Sequence, residues 1–123
     1  MSKSLRYTFL IHVVVSLIFG AALLLAPGRT LGLFGWAPID PLISRLLGAA
    51  LLALAWSSYR GWGASSYEQV SVLVEMEVIF TVFGSVGLLR HLIKAWYPWY
   101  VWFVFAVLVV FAIAWTYHLW KKE

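Results

Sequence analysis

The chain has 123 residues, of which 63% are hydrophobic and 11% are charged, and it contains no cysteine. A soluble domain has roughly 25% charged residues and, at this size, too little interior to bury so much apolar surface, so the composition excludes a soluble protein and predicts one membrane domain over 1–123. The absence of cysteine excludes disulfides and cysteine chemistry. The net charge of +4 comes from basic residues at the ends of apolar runs, a pattern that suits contact with anionic lipid headgroups rather than with nucleic acid.

The first predicted element is a membrane-spanning helix over 6–26. Its apolar run Tyr7–Ala26 reaches the roughly 20 residues that a helix needs to cross the hydrocarbon, and His12 is its one strongly polar titratable side chain. The run is too long for a secretory signal and no small-x-small cleavage site follows it, so we expect it to be retained. Pro27-Gly28 is predicted to stop this helix, and Arg29–Pro41 to form an interfacial loop.

Three further spanning helices are predicted over 41–59, 67–89 and 97–120. Asp40-Pro41 is typical of a helix start, with an acidic cap followed by proline at the first helical position. Gly- and Ser-rich residues connect the second helix to the third, and a basic segment connects the third to the fourth. Because the connections are short, neighbouring helices are expected to be antiparallel, which predicts an all-α, up-down-up-down bundle of four transmembrane helices.

The aromatic residues support four spans independently, because Trp and Tyr prefer the membrane–water boundary. Four spans place both termini on one side, and basic residues slightly favour that side as the cytoplasmic side of a prokaryotic cell membrane. The first boundary would contain Tyr7, Trp56, Tyr59, Trp62, Tyr67, Trp115, Tyr117 and Trp120, and the second Trp36, Trp96, Tyr97, Trp99, Tyr100 and Trp102.

Four polar side chains are predicted to lie inside the membrane: His12, Arg45, Glu75 and Glu77. An ionised side chain there costs roughly 2.5–3.5 kcal/mol, so such groups usually face a protein interior and have partners. On a helical wheel, Glu77 shares one face with Thr81, whereas Glu75 lies nearly opposite. Depths counted along the helices predict an Arg45–Glu77 pair and place Glu75 level with His12.

Two interpretations of the predicted Arg45–Glu77 pair remain open. It is either a gate, proton relay or anion site, or a neutralised pair that fixes helix packing. Metal binding would need three or four His, Asp or Glu ligands, more than the predicted polar residues supply. Haem binding would need two histidines at the same depth, and His12 and His118 lie at different depths. No metal, cofactor or catalytic residue is therefore predicted, and no serine or lysine nucleophile has an evident base.

A dense aromatic patch begins the fourth predicted helix. It is interpreted either as part of the interfacial belt or as a platform for a flat lipid-soluble ligand such as a quinone, sterol or carotenoid. The speculative ligand-binding residues are Trp99, Tyr100, Trp102 and Phe103.

About a quarter of the chain, from Pro27 to Trp56, resembles a known family. The matching features are Leu33-Phe34-Gly35, Asp40-Pro41, Arg45-Leu46-Leu47-Gly48-Ala49 and Trp56. They are similar to a family of small uncharacterised four-helix bacterial membrane proteins. The resemblance implies a four-helix fold with Arg45 as a fixed feature, and it brings no activity with it.

The leading hypothesis is a non-enzymatic accessory subunit of a larger membrane complex, or a self-assembling homo-oligomer. It is based on small-x-x-x-small motifs that let helices approach closely. One alternative is a small transporter, channel or proton relay that uses Arg45 and Glu77. Another is a protein that binds a lipid-soluble ligand at the aromatic patch. The motifs are Ser16-x-x-x-Gly20, Ser44-x-x-x-Gly48 and Ala49-x-x-x-Ala53.

Overall fold

The computed structural model describes residues 1–33, 35 and 40–123. Four of the helices in these residues are long and apolar enough to cross a membrane, namely Lys3–Leu25, Pro41–Trp62, Ser71–Leu92 and Trp99–Lys121. The chain is therefore an all-α, multi-pass membrane protein, as predicted. The described residues form α1 (Lys3–Leu25), α2 (Pro27–Leu33), α3 (Pro41–Trp62), a 3₁₀ turn (Tyr67–Gln69), α4 (Ser71–Leu92) and α5 (Trp99–Lys121), with no strand among them.

The predicted start of α3 is confirmed. A carboxylate oxygen of Asp40 accepts hydrogen bonds from the backbone N–H groups of Leu42 at 3.0 Å and Ile43 at 3.1 Å. Pro41 follows as the first helical residue, where its missing N–H has no partner to lose. Cap and proline together set the position at which the chain re-enters the membrane.

The segment predicted as an interfacial loop begins instead with the short helix α2. α1 ends at Leu25, as expected before a proline, but Pro27 then opens a new helix rather than a turn. Proline is favoured at a first helical position for the same reason as at α3. The Thr30 hydroxyl donates to the carbonyl of Ala22 at 3.1 Å, which holds α2 against the end of α1.

The third predicted spanning helix, α4, starts later than predicted. The chain forms a 3₁₀ turn over Tyr67–Gln69, and Val70, with φ −119° and ψ 1°, separates this turn from α4. α4 therefore begins at Ser71, four residues after the predicted start at 67, which shifts every depth counted along it by roughly 6 Å at 1.5 Å per residue. The shift changes which residues of the neighbouring helices lie level with Glu77.

The bundle consists of two tightly packed helix pairs. α1 and α3 pack along Gly20 and Gly48, where a Cβ added to Gly48 would lie 2.6 Å from the backbone nitrogen of Leu24. Gly20 and Gly48, which end the predicted motifs Ser16-x-x-x-Gly20 and Ser44-x-x-x-Gly48, thus lie in the contact between α1 and α3. α4 packs on α5, where Gly84 faces Leu108.

The two pairs meet mainly at the end of the bundle that contains the termini. The ring of Phe9 on α1 lies 4.9 Å from that of Trp115 on α5, and the ring of His12 lies 4.9 Å from that of Phe111, so α1 and α5 are antiparallel. Trp115, which was predicted at the membrane boundary, is fully buried between the helices here. This core layer contains Leu5, Phe9, Val70, Val74, Phe111 and Trp115.

Candidate functional site

A buried polar cluster surrounds His12, just beyond the core layer. The Nδ1 atom of His12 lies 2.8 Å from the Ser58 hydroxyl of α3, and its Nε2 atom lies 3.0 Å from the Ser16 hydroxyl. On the other side, Nδ1 lies 3.5 Å from Oε1 of Glu77 on α4. Three helices thus bring one histidine, one carboxyl group and two hydroxyl groups together inside the membrane.

Helical spacing explains how the sequence supplies these groups. Residues four apart share a helix face, and on α1 this spacing places His12 and Ser16 side by side. On α4 the predicted inward face is confirmed, because Glu77 and Thr81 are both buried. The Thr81 hydroxyl donates to the backbone carbonyl of Glu77 at 2.7 Å, which leaves its oxygen free to accept a further hydrogen bond.

The Glu77 carboxyl group is the most costly member of the cluster. Its side chain is fully buried, and neither oxygen has a partner with hydrogen-bond geometry within the described part of the chain. The Ser58 hydroxyl and the His12 ring are the polar groups that face it. Because an unsatisfied buried acceptor costs roughly 1–3 kcal/mol, packing alone does not account for a glutamate here.

The predicted Arg45–Glu77 pair is wrong. Arg45 is exposed in the second turn of α3, whereas Glu77 faces Ser58 near the other end of that helix. Thirteen residues of helix separate Arg45 from Ser58, which is roughly 20 Å at 1.5 Å per residue. The error arose because depths were counted from Tyr59 and Tyr67, whereas α3 extends to Trp62 and α4 begins only at Ser71.

Glu75 does not contact His12, although the two were predicted to lie at the same depth. Glu75 precedes Glu77 by two residues, which corresponds to a rotation of about 200° around the helix axis. Glu75 therefore points outward and is exposed. It lies near the phenol of Tyr67, whose pKa is raised by burial and by the Glu75 charge. Of the four predicted intramembrane polar residues, the structure therefore joins only His12 and Glu77.

His118 forms a separate polar group nearer the termini. Its Nε2 atom lies 3.3 Å from the Ser4 hydroxyl and 3.2 Å from that of Thr8, and its Nδ1 atom lies 2.7 Å from the carbonyl of Glu123. The indole of Trp115 lies one helical turn before His118 and packs on His12, so the two histidines belong to different layers. Among the described residues, no three His, Asp or Glu side chains form a group that would hold a metal ion.

A cavity of about 560 Å³ opens between the two helix pairs on the other side of the cluster. His12, Ser16 and Thr81 form its floor, and Asp40 and Thr30 lie at its mouth, near the boundary away from the termini. Between floor and mouth the walls are almost entirely apolar, which is typical of sites for small molecules. The wall residues include Val15, Phe19, Leu23, Leu47, Leu51, Phe80, Leu88, Val104, Val107 and Leu108.

The predicted aromatic patch lies outside this cavity. Trp99, Trp102 and Phe103 are exposed on the outer surface of α5. Tyr100 is partly buried, and its phenol packs against Gly35, a turn residue with φ 63°. This placement agrees with an interfacial belt, while ligand binding at the patch stays a prediction. Trp36, predicted at the same boundary, lies outside the described residues.

Sequence reasoning did not predict that Ser16 and Ser58 contact His12. Ser16 was predicted to serve close helix packing, and its hydroxyl also contacts the imidazole of His12. The four-residue spacing of Thr8, His12 and Ser16 was the available signal. Ser16 lies in the middle of α1, where the neighbouring backbone N–H groups bond within the helix, so the site lacks the converging donors that acyl transfer requires.

Comparison of the chain with protein families, curated proteins and solved structures gives no match. The function is therefore argued from the geometry of the site. That geometry places neutral hydrogen-bonding groups at one end of an apolar cavity, with a buried carboxyl group beside the imidazole.

Proposed function

We propose that this protein binds a small lipid-soluble molecule in the cavity between its two helix pairs. The observation that carries the proposal is an apolar cavity of about 560 Å³ that ends on buried hydrogen-bonding groups. This volume falls within the roughly 300–1,000 Å³ typical of ligand pockets. Apolar walls solvate the body of such a ligand, and the floor fixes the orientation of its polar end.

The arrangement of the two layers supports the same proposal. The core layer of Phe9, Trp115 and their neighbours closes the cluster off from the side that contains the termini. The cavity, in contrast, extends from the cluster to Thr30 and Asp40. A continuous polar path across the membrane is not needed for this function.

Filling the cavity is expected to abolish binding. A Cβ at Gly84 would lie 3.8 Å from the nearest atom of Leu108, an ordinary contact, so Gly84→Leu is tolerated and its larger side chain occupies the cavity. Native mass spectrometry of protein purified in mild detergent, with and without added 1-dodecanol, should show a bound small molecule in the wild type and none in Gly84→Leu.

The matched control for that experiment is Gly87→Leu. Gly87 lies on the same helix, is exposed, and has no atom within 4 Å of an added Cβ, so this variant should retain the ligand. Loss of binding in Trp102→Ala but not in Gly84→Leu would move the site to the aromatic patch. Wild-type protein without any bound molecule, even with 1-dodecanol present, would contradict the proposal.

Self-association is a second candidate function, favoured by one observation. Ala49 and Ala53 of the third small-residue motif are exposed on α3, so this motif is not used within the bundle and is available to a neighbouring helix. Light scattering after size-exclusion chromatography in detergent should then report an oligomer for the wild type and a monomer for Ala49→Leu. A wild-type monomer would remove this candidate.

The orientation that accompanies these proposals has both termini in the cytoplasm of a prokaryotic cell. It is supported by the basic residues at that end of the bundle, which slightly outnumber those at the other end and so agree with the preference of positive charge for the cytoplasmic side. Residues on the terminal side are Lys3, Arg6, Arg60, Lys121 and Lys122, and those on the other side are Arg29, Arg45, Arg90 and Lys94.

A further inference from the structure

We propose that the molecule held in the cavity is a lipid-soluble alcohol or phenol, whose hydroxyl group lies on the floor and hydrogen-bonds to Ser16 and Thr81. This inference rests on the proposed function and names the class of its ligand. It follows from the donors and acceptors that the floor presents and from the cost of placing charge at that depth.

Thr81 requires a donor on the ligand. Its own hydroxyl hydrogen is used on the backbone carbonyl of Glu77 at 2.7 Å, so toward the cavity the Thr81 oxygen can only accept. A hydroxyl or an N–H group on the ligand satisfies it, whereas an ether, ketone or ester oxygen cannot. If the bound ligand supplies no donor, the Thr81 oxygen is buried without a donor facing it, and this lowers the binding free energy.

Ser16 adapts to the protonation of His12. If Nε2 of the imidazole carries the hydrogen, Ser16 accepts it and keeps its own O–H for the ligand. If Nδ1 carries the hydrogen, Ser16 donates to Nε2 across 3.0 Å and offers a lone pair to the ligand. When Nε2 carries the hydrogen, a ligand hydroxyl satisfies both residues, because it accepts from Ser16 and donates to Thr81. When Nδ1 carries the hydrogen, Ser16 and Thr81 both accept, and the single hydrogen of the ligand hydroxyl is donated to one of them.

The depth of the floor favours a neutral ligand. His12 lies nine residues after the first residue of α1, roughly 14 Å along the helix. An ionised group at such a depth is costly without a partner. The Glu77 carboxyl group would attract a cation, but Glu77 does not line the cavity, and His12 and Thr81 stand on the floor in its place. Carboxylic acids and amines are therefore disfavoured relative to alcohols and phenols.

The test compares three probes with the same tail: 1-dodecanol, methyl dodecyl ether and dodecylamine. Binding to protein in nanodiscs is measured for each probe, and the signal of Gly84→Leu nanodiscs, in which the cavity is filled, is subtracted as partitioning into lipid. We expect the alcohol to bind about tenfold more tightly than the ether, the size of effect that one unsatisfied buried acceptor produces.

Three variants locate the hydroxyl group. Ser16→Ala and Thr81→Val should each bring the affinities for alcohol and ether close together, and an unchanged unfolding midpoint shows that the variant is folded. The control is Ser85→Ala, which removes another buried hydroxyl of α4 that donates to a backbone carbonyl at 2.6 Å but does not line the cavity. Ser85→Ala should keep the preference for the alcohol.

The outcomes separate this inference from the proposed function. If no probe binds above the Gly84→Leu signal, the binding function itself fails. If the ether binds as tightly as the alcohol, or dodecylamine binds more tightly, the cavity binds ligands but the inferred class is wrong. If Ser44→Ala, near the mouth, removes the preference and Ser16→Ala does not, the hydroxyl lies at the mouth and the inference is overturned.

Discussion

Gly48→Ala is expected to destabilise the protein by about 3 kcal/mol, because it forces apart the backbones of α1 and α3. An added Cβ would lie 2.6 Å from the nitrogen of Leu24 and 2.8 Å from the carbonyl oxygen of Gly20. Both contacts are with backbone atoms, which cannot rotate away as a side chain can. Overpacking of this kind costs roughly 1–3 kcal/mol and occasionally more, and the backbone contacts place Gly48 at the upper end.

The measurement is the free energy of unfolding in an SDS titration of detergent-solubilised protein. Gly87→Ala is the matched control, because Gly87 is a mid-helix glycine with open space around an added Cβ. It should stabilise the protein slightly, since alanine favours a helix over glycine by up to about 1 kcal/mol. Equal effects of the two substitutions would show that α1 and α3 do not approach as closely as described.

Glu77→Leu is expected to stabilise the protein by about 1–3 kcal/mol, because it removes a buried acceptor that has no hydrogen-bond partner. The carboxyl group is fully buried and its oxygens have no hydrogen-bond partner among the described residues. Removing it leaves His12 satisfied, because Ser58 and Ser16 still contact the two ring nitrogens. A glutamate retained at such a cost fits a site kept for function.

The control for this substitution is Glu75→Leu on the same helix. Glu75 is exposed, and changes to exposed side chains away from special features usually stay within about 0.5 kcal/mol. Unfolding midpoints of both variants in detergent provide the comparison. A marked loss of stability in Glu77→Leu would mean that the carboxyl group holds the helices together, and the cluster would then be structural.

Much of the candidate site could be predicted from particular residues. Glu77 and Thr81 share an inward face because they are four residues apart, and this face was found by helical periodicity alone. Their partners were not found. Ser58 and Ser16 carry no signal beyond their spacing, and the Arg45–Glu77 prediction failed because α3 ends later and α4 begins later than predicted.

The small-residue motifs were also predicted only in part. Gly20 and Gly48 were predicted to permit a close helix contact, and they do. Ala49 and Ala53 carry an equally strong motif, yet both are exposed. The motif states that a helix can approach closely; it does not state which helix does so.

The class of protein and its four spans follow from the amino-acid sequence alone, because apolar runs of spanning length can satisfy their backbone in lipid only as helices. Asp40-Pro41 also marks one helix start. The pairing of the helices, the carboxyl group that lies beside His12 and the position of the cavity required the three-dimensional structure, because lipid is as apolar as a protein core. Apolar side chains therefore cover every face of these helices, and hydrophobic periodicity no longer distinguishes the side that faces a neighbour from the side that faces the bilayer.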